Sequence, residues 1–236
     1  MADHMREDKA QRSCSFYMLS MMTFPRSSGR FPILFATLVA LGLGLVWLNG
    51  PVSAADEPPS AVAERLDAAL LEAMRNAKTL GYKGRYELLA PVLEQAFDFP
   101  FMARVSIGRY WRKMDEAQRA KLVEAFARLS IATFAARFNG YGGETFQILG
   151  EEKQPRGVIL VVNHLVKNDG EAVPINYLMR ESKGRWRVVD VFLDAKYSEL
   201  AIKRAEYTTV YQRDGFDRLI EIMEAKIAEL AAGGAG

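Results

Sequence analysis

The sequence predicts an α+β domain in which helices cover one face of a curved, antiparallel, four-stranded β-sheet. Two observations support this fold class. Apolar residues recur with helical spacing up to about residue 138, and four runs of strand-like alternation follow between about residues 144 and 193. The connections between these runs are too short for a parallel crossover, so neighbouring strands must be antiparallel.

Four helical stretches precede the predicted sheet. The first begins near Ser60, a residue type that caps helix N-termini. Two shorter apolar segments, 86–97 and 100–111, follow it. The clearest helix begins at Asp115, where Gln118 three residues later completes the pattern of a capping box. Apolar residues cover two faces of this long helix, which is typical of a helix at the centre of a core or along a cavity.

Turn signals divide residues 144–193 into the four predicted strands. Asn168-Asp169-Gly170 between two alternating runs is a strong hairpin signal. The third strand alternates most clearly, with apolar residues at every second position from Val173 to Met179. The predicted strands are Glu144–Gly150, Val158–Lys167, Ala172–Glu181 and Arg185–Leu193, and two closing helices are predicted over Ser198–Gln212 and Phe216–Ala231.

The N-terminal segment has the pattern of a secretory signal peptide. The 25 residues from Phe31 to Ala55 contain no charged side chain, arginines precede them, and small residues close the run. We expect cleavage after Ala54 or Ala55, which assigns residues 1–55 to the signal, leaves a single domain at 56–236 and places the protein in the periplasm of a bacterial host. The alternative is a retained membrane anchor, because about 18 apolar residues approach the length that spans a bilayer.

Composition and charge exclude several classes of protein. The 31 basic and 29 acidic side chains nearly balance, so the net charge gives no support to nucleic-acid binding. The one cysteine, Cys14, lies before the apolar run, so the exported domain has no thiol for a disulfide, a thiolate metal site or a nucleophile. No phosphate-binding loop, nucleophile elbow or HExxH motif occurs, and neither a metal nor an organic cofactor is predicted.

A single histidine follows the signal segment, and it carries the one catalytic hypothesis that the residues suggest. His164 lies in an apolar predicted strand, where a carboxylate such as Asp190 could orient it across the sheet as a general base. A hydrogen-bonded histidine within a sheet explains the same position without catalysis. The sequence therefore favours a protein that performs no chemistry, with an enzyme acting on a hydrophobic substrate through His164 as the alternative.

Five segments of the exported region resemble one family of proteins. In order and spacing they are similar to the MlaC family of periplasmic lipid-binding proteins, also called the toluene-tolerance auxiliary family. The segments are SIGRYW at 106–111, AQR at 117–119, FNGYGGETF at 138–146, WRVVDV at 186–191 and RDGFDRL at 213–219.

The resemblance implies a carrier that binds lipid and passes it between an inner-membrane lipid transporter and an outer-membrane acceptor complex, without chemistry. YGGE at 141–144 and VFLDAKYSE at 191–199 are more similar to the hopanoid-associated branch of the family, HpnM, which implies a hopanoid or a related lipid as cargo. A phospholipid is the alternative cargo. Together with the predicted elements, the resemblance implies an NTF2-like sheet with helices around an apolar cavity.

The lipid is expected between the concave face of the sheet and the long helix, in contact with side chains that point inward from both. Alternation along the strands selects the sheet residues, and Val189 and Val191 are chosen in the fourth strand because Asp190 takes the other face. Two tyrosines are expected at the mouth, where phenol oxygens can bind a polar lipid group. The predicted lipid-binding residues are Phe146, Ile148, Val173, Ile175, Tyr177, Met179, Val189 and Val191 from the sheet, Val105, Tyr110, Trp111, Phe134 and Phe138 from the helices, and Tyr141 and Tyr197 at the mouth.

Overall fold

Helices form the first part of the domain. The structure, a computed structural model, describes residues 57–233, so the predicted signal segment at 1–55 and its cleavage site lie outside the described residues. The helices before the sheet are α1 (Pro59–Arg75), α2 (Ala77–Ala96), α3 (Phe99–Ile107), a 3₁₀-helix (Gly108–Lys113) and α4 (Glu116–Arg137).

The capping box predicted at the start of the long helix, α4, is present. Asp115 Oδ1 accepts a hydrogen bond from the backbone N–H of Gln118 at 2.8 Å. The backbone N–H of Asp115 donates in return to Gln118 Oε1 at 3.2 Å. These two bonds satisfy N–H groups that the first turn of a helix leaves without a helical partner, which is why the helix begins at this position.

The sheet is antiparallel as predicted, but the part of the chain that the structure describes contains five strands and not four. The fifth strand pairs with the fourth through Phe192 with Ser198 and Leu193 with Tyr197. A strand of two residues has no alternation that a sequence can reveal, which explains the error. The strands, in their spatial order, are β1 (Thr145–Gln154), β2 (Val158–Val166), β3 (Ala172–Ser182), β4 (Arg185–Leu193) and β5 (Tyr197–Ser198).

The chain closes with α5 (Glu199–Gly233), which contains the interruption predicted between two closing helices. Gly215 has φ 83° and ψ −175°, a conformation outside the helical region that glycine adopts without steric cost. The helix therefore changes direction at Gly215. Its first half packs beside α4 through Tyr207 and Phe126, and its second half returns to α4 through an ion pair of Glu224 with Arg128.

One face of the sheet packs against α1. Directly paired residues of neighbouring strands share a face, and Val161 of β2, Tyr177 of β3 and Val191 of β4 are paired in this way. All three side chains are buried. The hydroxyl of Tyr177 reaches Asp67 of α1, so this row of residues lies beneath the first helix. Register shifts leave an extra residue in β1 between Ile148 and Gly150 and in β4 between Val188 and Asp190, and bulges of this kind bend a strand.

Within residues 57–233, no helix combines the length and the apolar character needed to cross a bilayer.

Candidate functional site

An open groove of about 360 Å³ lies between α1 and β1. Residues at intervals of three and four in α1 place their side chains on one helix face, and every second residue of β1 points to the same side of the sheet. Both patterns supply the walls of the groove. The lining residues are Glu64, Asp67, Ala68 and Leu71 from α1 and Phe146 and Ile148 from β1.

A buried polar cluster joins the floor of this groove to the sheet. Asp67 is only 4% exposed, and its Oδ1 accepts the hydroxyl of Tyr177 at 2.9 Å. Asn163 donates its amide to both carboxylate oxygens of Asp67, at 3.1 and 2.9 Å. The other amide atom, Asn163 Oδ1, has no hydrogen-bond partner among the described residues.

The protonation of Asp67 is shifted by this environment. Burial raises the pKa of Asp67 to about 7, because the ionised carboxylate loses its hydration. The hydrogen bonds from Tyr177 and Asn163 lower the pKa, and the nearby charge of Glu64 raises it. The groove therefore contains the apolar side chains of Leu71, Phe146 and Ile148 together with the carboxyl of Asp67, which changes charge near neutral pH.

A row of aromatic rings leads from this groove into the helical layer. Phe146, on the groove wall, contacts Phe138 with ring centroids 6.5 Å apart, and Phe138 stacks on Phe134 at 5.8 Å. Phe134 meets Phe97 edge to face at 5.7 Å. The row continues from Phe97 through Phe99 and Phe126 to Tyr207. These contacts join seven aromatic side chains into one continuous apolar body.

A second open groove, of about 460 Å³, lies between the 3₁₀-helix and α4. Trp111 forms part of its wall, and the guanidinium of Arg119 lies over the indole at 5.6 Å. Its lining residues are Pro100, Trp111, Glu116, Arg119, Ala120, Val123 and Glu124.

The structure divides the predicted lipid-binding residues among several environments. Phe146 and Ile148 line the α1–β1 groove, Trp111 lines the second groove, and Tyr141 and Tyr197 are exposed. The remaining ten residues line neither groove and are buried or half-buried in the domain. Buried are Tyr110, Phe138, Ile175, Tyr177, Met179, Val189 and Val191, and half-buried are Val105, Phe134 and Val173.

Sequence reasoning missed Asp67 and Asn163. A signal for Asp67 was available, since it follows Ala63 by four residues and precedes Leu70 by three, on the apolar face of the first helix. Asn163 occupies an inward position of β2 between the buried Val161 and Leu165. Polar residues on apolar faces are the pattern that predicts a buried polar contact.

The suggested pairing of His164 with Asp190 does not form. His164 pairs with Pro174 of β3, whereas Asp190 pairs with Leu178, four residues along that strand and about 13 Å away. Asp190 instead holds the start of α5: its Oδ1 accepts the N–H of Leu200 at 3.0 Å, and its Oδ2 accepts the hydroxyl of Ser198 at 2.5 Å. Among residues 57–233, no group of three His, Cys, Asp or Glu side chains could hold a metal ion.

The fold is similar to that of a solved protein. A phospholipid-binding protein from Ralstonia solanacearum, determined in complex with a phospholipid, superimposes with a TM-score of 0.65 at 18% sequence identity. The match covers 74% of this chain and 99% of the other. No curated protein matches the chain.

A family model provides the sequence evidence. The model described as MlaC protein matches residues 64–225, which includes most of α1, the whole sheet and most of α5. The match covers well over half of the chain and contains all five segments on which the resemblance was based. The chain belongs to the MlaC family.

Proposed function

We propose that this protein is a periplasmic lipid-binding carrier that takes a hopanoid or a related lipid between an inner-membrane transporter and an outer-membrane acceptor complex, without chemistry. The observation that carries the proposal is the aromatic row that begins at the α1–β1 groove and continues into the domain. In a chain of the MlaC family, such a body of apolar side chains beside a surface opening supports the binding of a long apolar ligand.

The groove is too small for a long lipid unless the structure opens. Its volume of about 360 Å³ is near the lower end of the range of ligand pockets, about 300–1,000 Å³. A long lipid therefore needs α1 and β1 to separate, so that the rings of Phe146 and Phe138 contact the lipid and no longer each other. Burial of each CH₂ gains about 0.8 kcal/mol, so release of a long chain requires a partner that opens the groove or competes for the lipid.

Two observations point to different cargo lipids. The segments at 141–144 and 191–199 support a hopanoid, and the phospholipid bound by the Ralstonia solanacearum protein supports a phospholipid. A rigid ring system loses less conformational entropy on binding than flexible acyl chains do. The broad aromatic rings of Phe138 and Phe134, which lie behind the groove, suit such a rigid lipid, which is why we place the hopanoid first.

Mass spectrometry of bound lipid tests the proposal. The protein is purified from its own host, its lipid is extracted, and the amounts of hopanoid and phospholipid per protein are compared with those in a periplasmic protein purified in parallel. We expect a hopanoid in near-stoichiometric amount. A phospholipid in that amount supports the alternative cargo, and lipid at the level of the control protein contradicts the carrier function.

The periplasmic location has its own test. N-terminal sequencing of the protein from its host should begin at Ala55 or Asp56, because the residues before them carry the pattern of a signal peptide. A sequence that begins within the first twenty residues of the chain contradicts cleavage and favours the retained anchor.

The enzymatic alternative depends on His164, and its substitution separates the two classes. We expect His164→Ala to leave the bound lipid nearly unchanged, since the residue lies beside Pro174 and Gln147 and lines neither groove. Lipid content and hydrolysis of a fluorogenic lipid ester are measured in both proteins. A hydrolytic activity that disappears with the substitution contradicts the carrier proposal.

A further inference from the structure

The polar cluster at the floor of the α1–β1 groove leaves one buried hydrogen-bond acceptor unpaired. The cluster consists of Asp67, Asn163 and Tyr177, which are 4%, 0% and 0% exposed. The Tyr177 hydroxyl and the Asn163 amide both donate to the carboxyl group of Asp67. Asn163 Oδ1 has no hydrogen-bond partner among the described residues. Because a buried acceptor without a donor is unfavourable, this atom favours a ligand that brings a donor.

The unpaired acceptor lies on the groove side of the sheet. Asn163 pairs directly with Ile148 of β1, and directly paired residues of neighbouring strands point to the same face. Ile148 and Asp67 both line the groove, and Asn163 Nδ2 is 2.9 Å from Asp67 Oδ2. Oδ1 and Nδ2 of an asparagine are bonded to the same carbon, so Oδ1 also lies close to this carboxyl. Separation of α1 from β1, which a long lipid already requires, gives a ligand access to this acceptor.

The lining residues indicate the charge of the group that fits. The groove contains the carboxyl groups of Glu64 and Asp67, and none of its six lining residues is basic. A lipid phosphate is an anion that only accepts hydrogen bonds. It would meet two carboxyl groups and supply no proton to Asn163 Oδ1, so it is disfavoured at this position.

A hydroxyl group matches the cluster better. It can donate to Asn163 Oδ1 without bringing a charge into a buried position. Burial raises the pKa of Asp67 to about 7, so near neutral pH the carboxyl is present both ionised and protonated. A hydroxyl donates to the ionised form and accepts from the protonated form, whereas an ammonium group only donates.

We propose that the polar cluster binds a hydroxyl group of the cargo lipid, with Asn163 Oδ1 as its hydrogen-bond acceptor. The apolar body of the lipid lies along the aromatic row, which begins at Phe146 on the same wall of the groove as Ile148. This assignment rests on the proposed carrier function and narrows it, because the groove then selects apolar lipids that carry a hydroxyl over apolar lipids that lack one.

Two hopanoids that differ in a hydroxyl group test the proposal. Protein recovered from cells that express the full chain is incubated with phosphatidylcholine vesicles that contain equal amounts of diplopterol, an alcohol, and diploptene, a hydrocarbon with the same ring system. Mass spectrometry then gives the ratio of the two lipids bound to the protein. We expect this ratio to be about fivefold to tenfold higher in the native chain than in Asn163→Leu, which lacks the acceptor.

Ser106→Ala is the matched control, since its hydroxyl is also buried, donates to the carbonyl of Ala103 and lines neither groove. It should keep the native ratio. An equal ratio in the native chain and in a folded Asn163→Leu overturns the assignment of the cluster and leaves the carrier function standing. Binding of neither hopanoid by the native chain overturns the proposed cargo and the assignment together.

A change in the ligand gives a second measurement that requires no variant to fold. The methyl ether of diplopterol keeps the oxygen but has no proton to donate, so the native chain should bind it about as weakly as it binds diploptene. Circular dichroism shows whether Asn163→Leu is folded, and the ether decides the outcome if it is not. Binding of the ether as tightly as the alcohol overturns the assignment.

Discussion

Protonation of a single residue, Asp67, affects the stability of the contact between α1 and the sheet. Its pKa rises from an ordinary value of 3.8 to about 7, chiefly because the carboxyl is buried. The folded chain therefore keeps a proton that the unfolded chain loses above pH 4. Because the folded state binds more protons between these two values, the free energy of unfolding falls as the pH rises from about 4 to about 7.

Substitution of Asp67 should remove this dependence. With a shift of about three pKa units, the stability lost between pH 4 and pH 7 reaches up to about 4 kcal/mol. Asp67→Asn cannot ionise, so we expect it to match the native chain at pH 4 and to be the more stable protein at pH 8. Urea unfolding at pH 4, 6 and 8 measures both, and Glu181→Gln, at an exposed position of β3, is the control. An unaltered pH slope in Asp67→Asn would contradict the assignment.

At the residue scale, the sequence predicted which face of the sheet a side chain lies on better than it predicted the residues that the side chain contacts. Alternation placed Ile175 and Tyr177 on one face of the sheet and Asp190 on the other, and the pairing of Asp190 with Leu178 agrees with that division. The register shift that follows pairs Met179 with Val188 and not with Val189, which alternation had placed on the inward face. The partners of these side chains were not predictable, because each comes from a distant part of the chain. Tyr177 meets Asp67 across 110 residues, and a contact of that kind depends on how the helix lies on the sheet.

Helix α5 depends on one residue for its change of direction. Gly215 combines φ 83° with ψ −175°, a region that residues with a Cβ enter at a cost of about 1–3 kcal/mol. Nothing lies within 4 Å of where a Cβ would be, so the backbone alone opposes a substitution. The two halves of α5 rest on α4 through separate contacts, which keeps the interruption in place.

We therefore expect Gly215→Ala to destabilise the domain by about 1–3 kcal/mol through backbone strain. Gly233→Ala is the matched control: its Cβ also meets nothing within 4 Å, and its φ is not positive. Because alanine is the better helix former, the control should be neutral or slightly stabilising. Thermal and urea unfolding of both variants measure the difference, and equal stabilities would show that Gly215 does not need its unusual conformation.

At the element scale, the features that depend on a few neighbouring residues could be predicted from the sequence. The Asp115–Gln118 capping box, the turns between strands and the interruption between the two closing helices were all predicted from neighbouring residues, and all are present. The strand β5 was not predicted, because its position depends on Asp190. The carboxyl group of Asp190 accepts hydrogen bonds from Ser198 and from the first turn of α5. Long-range capping of this kind leaves no periodic signal.

At the scale of the whole domain, most residues predicted to line the cavity are packed in the interior. Phe146 and Ile148 are the two that line the α1–β1 groove. Ile175 is 3% exposed and Phe134 lies within the aromatic row, so a larger side chain at either position overpacks the domain at a cost of about 1–3 kcal/mol. Such variants change stability and lipid content together. A test of the groove itself requires a position that is exposed in the structure and lies on the wall of the opening.

Ala68 of α1 meets both conditions, since it is exposed and lines the groove opposite Phe146 and Ile148. Ala68→Trp places an indole in the opening, so we expect the lipid recovered per protein to fall severalfold while the melting temperature changes by only a few degrees. Ala228→Trp, at an exposed position of α5 away from the groove, is the control and should keep the native lipid content. Native lipid content in Ala68→Trp would show that cargo enters the aromatic interior by another route. A large loss of stability would show instead that α1 and β1 already pack as tightly at this position as the rest of the core.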